Sequence, residues 1–365
     1  MSQPPPRRPS PLLRLRPLLP LAGIGAIVGA VTLAFAWSGG HLPSRTLDAP
    51  TLIGAIERSS PPQPGFRRSH SKGTCVLGTF TASGDGAAWS SARVFTQRSV
   101  PVLGRLSYPG TDPHAADAKA RVRSLALLLR TDDGQQWRTA MNSSPFFAVA
   151  TPEDFKAQAE AATPDPATGK PDPARMAAFL AGHPQARAFQ AWAKSAPWSN
   201  SWANTPYNSL NTFIGTAADG SRHALRWTLR PQAPFVPLSP EQREQADANF
   251  LVQDLSARLA AGPVRWDLVL TEAGPGDRID DASYAWPAER AQRVAGVLEL
   301  KSATPQATGE CRDINFDPLV LPQGLAASGD PLLAARSAVY SQSFNRRERE
   351  IARGQAHDAI GEERP

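Results

Sequence analysis

The sequence predicts an α+β domain built on an antiparallel sheet and preceded by one apolar N-terminal helix. Three observations carry this. Short apolar or β-branched runs, bounded by Gly, Pro and Asp, recur on both sides of a helical middle section. The helical stretches carry their own start signals. Residues 18–37 form a run without charge behind Arg7, Arg8, Arg14 and Arg16.

The N-terminal run comes first. Twenty helical residues span about 30 Å, the thickness of a bilayer's hydrocarbon core. Residues 1–17 are the basic lead, and no Lys or Arg follows until Arg45, so the body is expected outside the cytoplasm. Three readings stay open: an uncleaved signal anchor, which is preferred; a signal peptide cut after Ala34-Phe35-Ala36; or a twin-arginine signal, in which Arg7–Arg8 is followed by Pro9-Ser10. The expected location is periplasmic, anchored in the inner membrane by residues 18–37.

A linker, 38–47, leads to the body, 48–350, which begins with a short helix near 52–58; a flexible tail, 351–365, follows. Residues 76–81, 100–108 and 124–130 read as strands, and 213–216, 223–229, 264–271 and 294–301 continue the set. Thr151-Pro152-Glu153-Asp154 places an N-cap, a first-turn Pro and two acids at a helix start that leads to Ala162. Helices over 173–181 and 184–195 follow. Ser239-Pro240-Glu241 opens one long amphipathic helix to Ala261, closed by Gly262-Pro263. A last helix starts near Asp330-Pro331 and carries Leu332, Leu333, Val339 and Tyr340. Strands, helices, strands and a helix in that order fit one α+β unit rather than a βαβ chain.

With 365 residues, 41 % hydrophobic and 20 % charged, the composition is that of a globular protein. The net charge of +6 is spread thinly. Arg7–Arg8, Arg67–Arg68 and Arg346–Arg347 are short pairs, not the dense basic stripe with aromatics that nucleic acid requires. Two cysteines, Cys75 and Cys311, exclude a cysteine metal cage; one disulfide or two buried thiols both remain open.

Of six histidines, His41, His114, His183, His223 and His357 sit in settings that look like loop or surface. His70 differs: it lies in Arg67-Arg68-Ser69-His70-Ser71-Lys72-Gly73, just before the first strand. Further along come Gly104-Arg105-Leu106-Ser107, then Met141-Asn142-Ser143-Ser144-Pro145-Phe146-Phe147, then Phe155, and finally Arg336, Tyr340 and Arg347.

This ordered set resembles the haem catalases, and more closely the shorter catalase-related peroxidases, over roughly residues 48–350. The resemblance implies a catalase-like antiparallel β-barrel with surrounding helices, holding haem b. It implies His70 as the distal acid–base group, Ser107 bonded to it and Asn142 as the distal amide. It implies Tyr340 as the iron ligand with Arg336 beside it. Arg67, Arg105 and Arg347 would meet the propionates, and Phe155 would stack on the porphyrin. The chemistry is consistent. A phenol ionises near pH 10 in water, so an anionic tyrosine ligand needs iron and a guanidinium nearby; Arg336 stands four residues before Tyr340, on the same helical face. Splitting a peroxide needs a proton moved from one oxygen to the other, which a histidine can do while an amide donates a hydrogen bond.

The departures from the family pattern shape the expected reaction. The chain lacks the long N-terminal arm and C-terminal extension of full-length catalases, and Asn211 stands where many of them carry a histidine. Bound NADPH and an interlocked tetramer are therefore not expected; a monomer or small homo-oligomer is. The expected activity is a haem peroxidase that reduces organic hydroperoxides or hydrogen peroxide with an unidentified electron donor. A haem carrier or sensor on the same fold and a true catalase are the runners-up.

Overall fold

The computed structural model describes residues 18–38 and 47–356, with side chains from 23–35 and 47–356. It divides into two units, Met1–Asp48 and Ala49–Pro365. The first contains helix α1, Leu18–Ser38. Among the described residues no helix is long and apolar enough to cross a membrane. The expected basic lead lies outside the described residues.

The second unit is a closed antiparallel barrel with helices packed outside. After α2 (Ala49–Ser59), strands β1 (Gly73–Ala82), β2 (Val100–Ser107), β3 (Ser124–Arg130) and β4 (Gln136–Asn142) form a meander. Helices α3 (Pro152–Ala161), α4 (Pro173–Gly182) and α5 (Pro184–Ser195) follow. Then come β5 (Tyr207–Asn208), β6 (Phe213–Thr216) and β7 (Arg222–Pro231). Helices α6 (Pro240–Gln245) and α7 (Phe250–Ala261) lead to β8 (Val264–Glu272) and β9 (Gln292–Pro305). The chain ends with β10 (Leu325–Ala327) and the long helix α8 (Pro331–Ala352). The sheet closes because β7 pairs with β8 as well as with β5, while β6 and β10 form a flap on β7.

The alternation of side chains along each strand divides inside from outside. Leu106, Leu125, Leu127, Trp137 and Met141 face the barrel core. There Trp137 and Trp227 meet edge to face with ring centres 5.0 Å apart, and the Trp227 indole donates to Thr139 Oγ1. Residues of the opposite phase, including Arg105, Ser107, Ala126, Ala140 and Asn142, line a cavity outside the barrel.

The structure changes two expected elements. Residues 136–142 form a full strand, so Asn142 ends β4 in register with Ser124 and Asn208. That strand alternates Arg138 and Ala140 with its apolar residues, which gives it no β-branched run to read. The single long helix after Ser239 is two, broken at residues 246–249. The Ala248 carbonyl accepts from the Asp117 backbone and from Lys72 Nζ, and Asp247 caps the Asn249 amide, so the backbone leaves the helical path. Nor do two of the supposed loop histidines lack partners: His183 bonds Asp154 and stacks on Phe179, and His223 bonds Glu272 across β7 and β8. At the C-terminus α8 runs to Ala352 and Ala356 is buried. Cys75 and Cys311 form a disulfide with Cα atoms 5.3 Å apart, which decides between the two open readings.

Candidate active site

A cavity of about 300 Å³ lies between the outer face of β2–β4 and one stripe of α8. The stripe is Leu332, Arg336, Val339, Tyr340, Ser343 and Arg347, at the three- and four-residue spacing of a single helix face. Asp330 starts this helix by accepting from the Leu332 amide, with Pro331 in the first turn. The barrel wall is flat where it meets α8 because Ala126 and Ala140 stand side by side in register.

His70 lines the cavity in a left-handed conformation, φ 61°, which is rare for a residue other than glycine. Neighbours hold it there. Arg105 Nη2 donates to the His70 carbonyl at 2.7 Å and to the Ser71 carbonyl at 3.2 Å. Ser71 donates from its backbone to Gly110 and from its hydroxyl to Arg67. Gly73 makes room for this: a Cβ there would lie 2.5 Å from Arg105 Nη2 and 2.6 Å from the Leu106 carbonyl. Ser107 Oγ sits 3.3 Å from His70 Nδ1. Burial, then the charges of Arg105, Arg336 and Arg67, push the His70 imidazole down to about 3. The ring is therefore neutral near pH 7.

Asn142 extends the same row. Ser107, Ser124 and Asn142 are register partners on adjacent strands. Ser124 Oγ donates to Asn142 Oδ1, which fixes the amide with its Nδ2 free to donate. Phe155 lines the cavity too, stacked on Phe147 with ring centres 6.2 Å apart.

On the α8 side, the Arg336 guanidinium lies 6.0 Å from the centre of the Tyr340 ring. Tyr340 lines the cavity beside it. Arg336 is held by Asn211 Oδ1 and by the Ala140 carbonyl, and Asn211 Nδ2 donates to Asp330 at 2.7 Å. Asn211, marked in the sequence only as a departure, is thus the buried link from the start of α8 to Arg336.

Arg67, Arg105 and Arg347 gather at one end of the cavity. Arg67 Nη2 donates to the carbonyls of Cys311, Arg312 and Ile314 at 2.9–3.1 Å, and Arg347 Nη1 to that of Arg312. Burial lowers all three, and repulsion within the cluster adds to it for two: Arg67, facing Arg105 and Arg347, falls well below its usual value, and Arg105, facing Arg347, falls to about 9. Arg105 Nε and Arg347 Nε are buried without a partner. The nearest carboxylates, Asp313 at 3.7 Å and Glu348 at 3.3 Å from Arg347, are half exposed. Such a cluster calls for an anionic ligand. A flat apolar slot with a tyrosine on one wall, a neutral histidine on another and unspent guanidinium donors at its end fits haem with its two propionates. The residues present therefore fit the group.

The structure brings every site residue read from the sequence, His70, Ser107, Asn142, Arg67, Arg105, Phe155, Arg336, Arg347 and Tyr340, to this one cavity. Sequence reading missed Gln306, whose Oε1 accepts from Arg105 Nη2 and whose Nε2 donates to the Ser71 carbonyl at 2.8 Å. It carries no local signal; only the pairing of β1 with β9 brings it there.

The family model described as Catalase matches residues 56–352. The chain is 36 % identical over 329 residues to a catalase-related peroxidase of Synechococcus elongatus, covering 90 % of this chain and 95 % of the relative. It is 33 % identical to a catalase-related peroxidase of Mycolicibacterium paratuberculosis, covering 85 % and 96 %. Among solved structures, a fungal catalase superposes with a TM-score of 0.70 at 18 % identity, and catalase A of Saccharomyces cerevisiae with 0.69 at 19 %. These alignments cover 82 % and 81 % of this chain but only 62 % and 63 % of those catalases. The chain belongs to the catalase family.

Proposed function

We propose that the protein is a haem-dependent peroxidase that reduces organic hydroperoxides, and hydrogen peroxide, with an external electron donor. The observation that carries this reading is the pairing, in one cavity, of a neutral histidine beside a fixed amide with a helix tyrosine backed by arginine. Membership of the catalase family supports the peroxide and the haem.

When bound, haem supplies an iron centre that takes up the oxidising equivalents of the peroxide. The protein's own groups do the rest. Ser107 engages His70 Nδ1, which turns Nε2 toward the substrate. His70 takes the proton of the incoming peroxide and returns it to the oxygen that leaves. Asn142 Nδ2 donates to the peroxide as negative charge develops, and it is already oriented by Ser124. Tyr340 would ligate the metal, and the Arg336 charge favours its anionic form. Arg67, Arg105 and Arg347 would hold the propionates.

Apolar lining from Leu52, Ile56, Pro152 and Phe155 supports the organic substrate. Haem b is favoured over a covalently attached haem because the chain's two cysteines are joined to each other. Location in the periplasm is part of the same proposal. The uncharged run of 18–37 behind four arginines supports an inner-membrane anchor, and the disulfide suits an oxidising compartment.

The test is to express the full chain, add haem, and record the Soret band and the peroxide-dependent oxidation of a donor dye. An organic hydroperoxide should turn over at least as well as hydrogen peroxide. Absence of a Soret band refutes the haem reading; a haem-loaded protein that evolves oxygen but oxidises no dye refutes the peroxidase reading.

A further inference from the structure

The loop that follows β9 touches every part of the arginine cradle. Gln306 bridges Arg105 to the Ser71 carbonyl, one residue beyond His70. The carbonyls of Cys311, Arg312 and Ile314 hold Arg67, and that of Arg312 also holds Arg347. The loop is anchored covalently by Cys311 to Cys75 on β1, and Cys75 is the register partner of Arg105. Gly309 lies flat on the bridge: a Cβ there would be 2.5 Å from Cys75 Sγ. The regular structure within 306–314 is a short 3-10 turn at Glu310–Asp313, which packs on β1 and β2 around the bridge together with Leu103 and Leu128.

From this we infer that Gln306 and the Cys75–Cys311 bridge are positioning groups for the haem site, and that closing the bridge is what completes the cradle. The inference rests on the haem reading above. Three buried guanidinium groups repel one another, so each needs its carbonyl acceptors held in place before a ligand arrives. The bridge spans 236 residues of sequence, so closing it removes a large loop entropy from the open chain. The step balances simply: two thiols give up two protons and two electrons, and a disulfide oxidant, such as an exported thiol oxidoreductase or oxidised glutathione in the test tube, is reduced to thiols. Cys75 is 1 % and Cys311 0 % exposed, so the bridge must form before the fold shuts over it. Haem capture would then follow oxidation, and so follow export.

The experiment compares the full chain with Cys75→Ala/Cys311→Ala, Gln306→Ala and Gln306→Glu. Haem affinity is read by Soret titration. Amide exchange of residues 67–73 and 306–314 is read without haem, and melting temperature is recorded for each. The double cysteine variant and Gln306→Ala should weaken haem binding by roughly tenfold or more and speed exchange at 67–73. Gln306→Glu keeps the acceptor for Arg105 but loses the donor to the Ser71 carbonyl and adds a carboxylate that competes with the propionates, so it should not restore the affinity. A lower melting temperature with unchanged affinity and unchanged exchange at 67–73 would overturn the inference, leaving a mere staple. Should the double variant fail to fold, the two Gln306 variants decide alone. Failure of the parent chain to bind haem overturns the haem reading instead, while the exchange data still test the clamp.

Discussion

The Arg105 guanidinium donates to the His70 carbonyl at 2.7 Å and so stabilises a histidine backbone of φ 61°. A conformation of that kind costs about 1–3 kcal/mol and persists only when its surroundings impose it. Arg105 therefore has two tasks: one Nη fastens the distal segment, and its unpaired Nε is left for a ligand.

Arg105→Lys separates these tasks from charge. Lysine keeps the cation but loses the planar fork that serves several acceptors at once. We expect the fold to be retained, haem affinity to fall by roughly tenfold or more, and exchange at Ser71 to rise. Soret titration of the variant checks this; parental affinity would show that Arg105 contributes charge alone.

His70 sets the pH dependence of the haem-free protein. Its folded value is near 3, against 6.5 in the open chain. Between those values the unfolded chain binds more protons, so stability rises with pH there and falls as pH drops from about 6.5 toward 3. Glu350 acts in the same direction lower down. Its ion pair with Arg68 holds it below its ordinary 4.5, so that contribution is present above 4.5 and is lost as the pH falls further. Urea midpoints at several pH values check this. His70→Phe should flatten the slope between about pH 6.5 and 4.5; an unchanged slope would show that the histidine does not carry it.

Much of the site was legible because it sits where local signals are strong. Arg336 and Tyr340 share a helix face, and Arg105 and Ser107 share a strand face, so spacing alone puts each pair together. Asp330-Pro331 marked the start of α8. What stayed hidden depends on distant pairing. The β4 strand shows itself only through its register with β3, and Gln306 reaches Arg105 across 201 residues. The break between α6 and α7 is imposed by Lys72 and Asp117 on the other side of the chain.

Tyr340→Phe removes one oxygen from a side chain that packs with Leu103, Ala126 and Ile314 around the Cys75–Cys311 bridge. The ring and its packing remain, so we expect the melting temperature of the haem-free protein to change by little. Haem affinity and dye oxidation should both collapse, because among the described residues Tyr340 is the one tyrosine that lines the cavity. Full retention of either would remove Tyr340 from the ligand role.

Asp330 joins the stability of α8 to the orientation of Arg336. Its carboxylate caps the helix at the Leu332 amide and accepts from Asn211, whose own carbonyl oxygen receives Arg336. Asp330→Ala should cost about 1–2 kcal/mol for the lost cap, and it also frees Asn211 to rotate. Asp330→Asn keeps an oxygen for the cap but brings a second amide against Asn211. If orientation of Arg336 matters for the tyrosine ligand, Asp330→Asn should alter the haem spectrum and lower dye oxidation more than it lowers melting temperature. Equal losses in Asp330→Ala and Asp330→Asn, proportional to stability, would reduce the Asp330–Asn211–Arg336 chain to a helix cap.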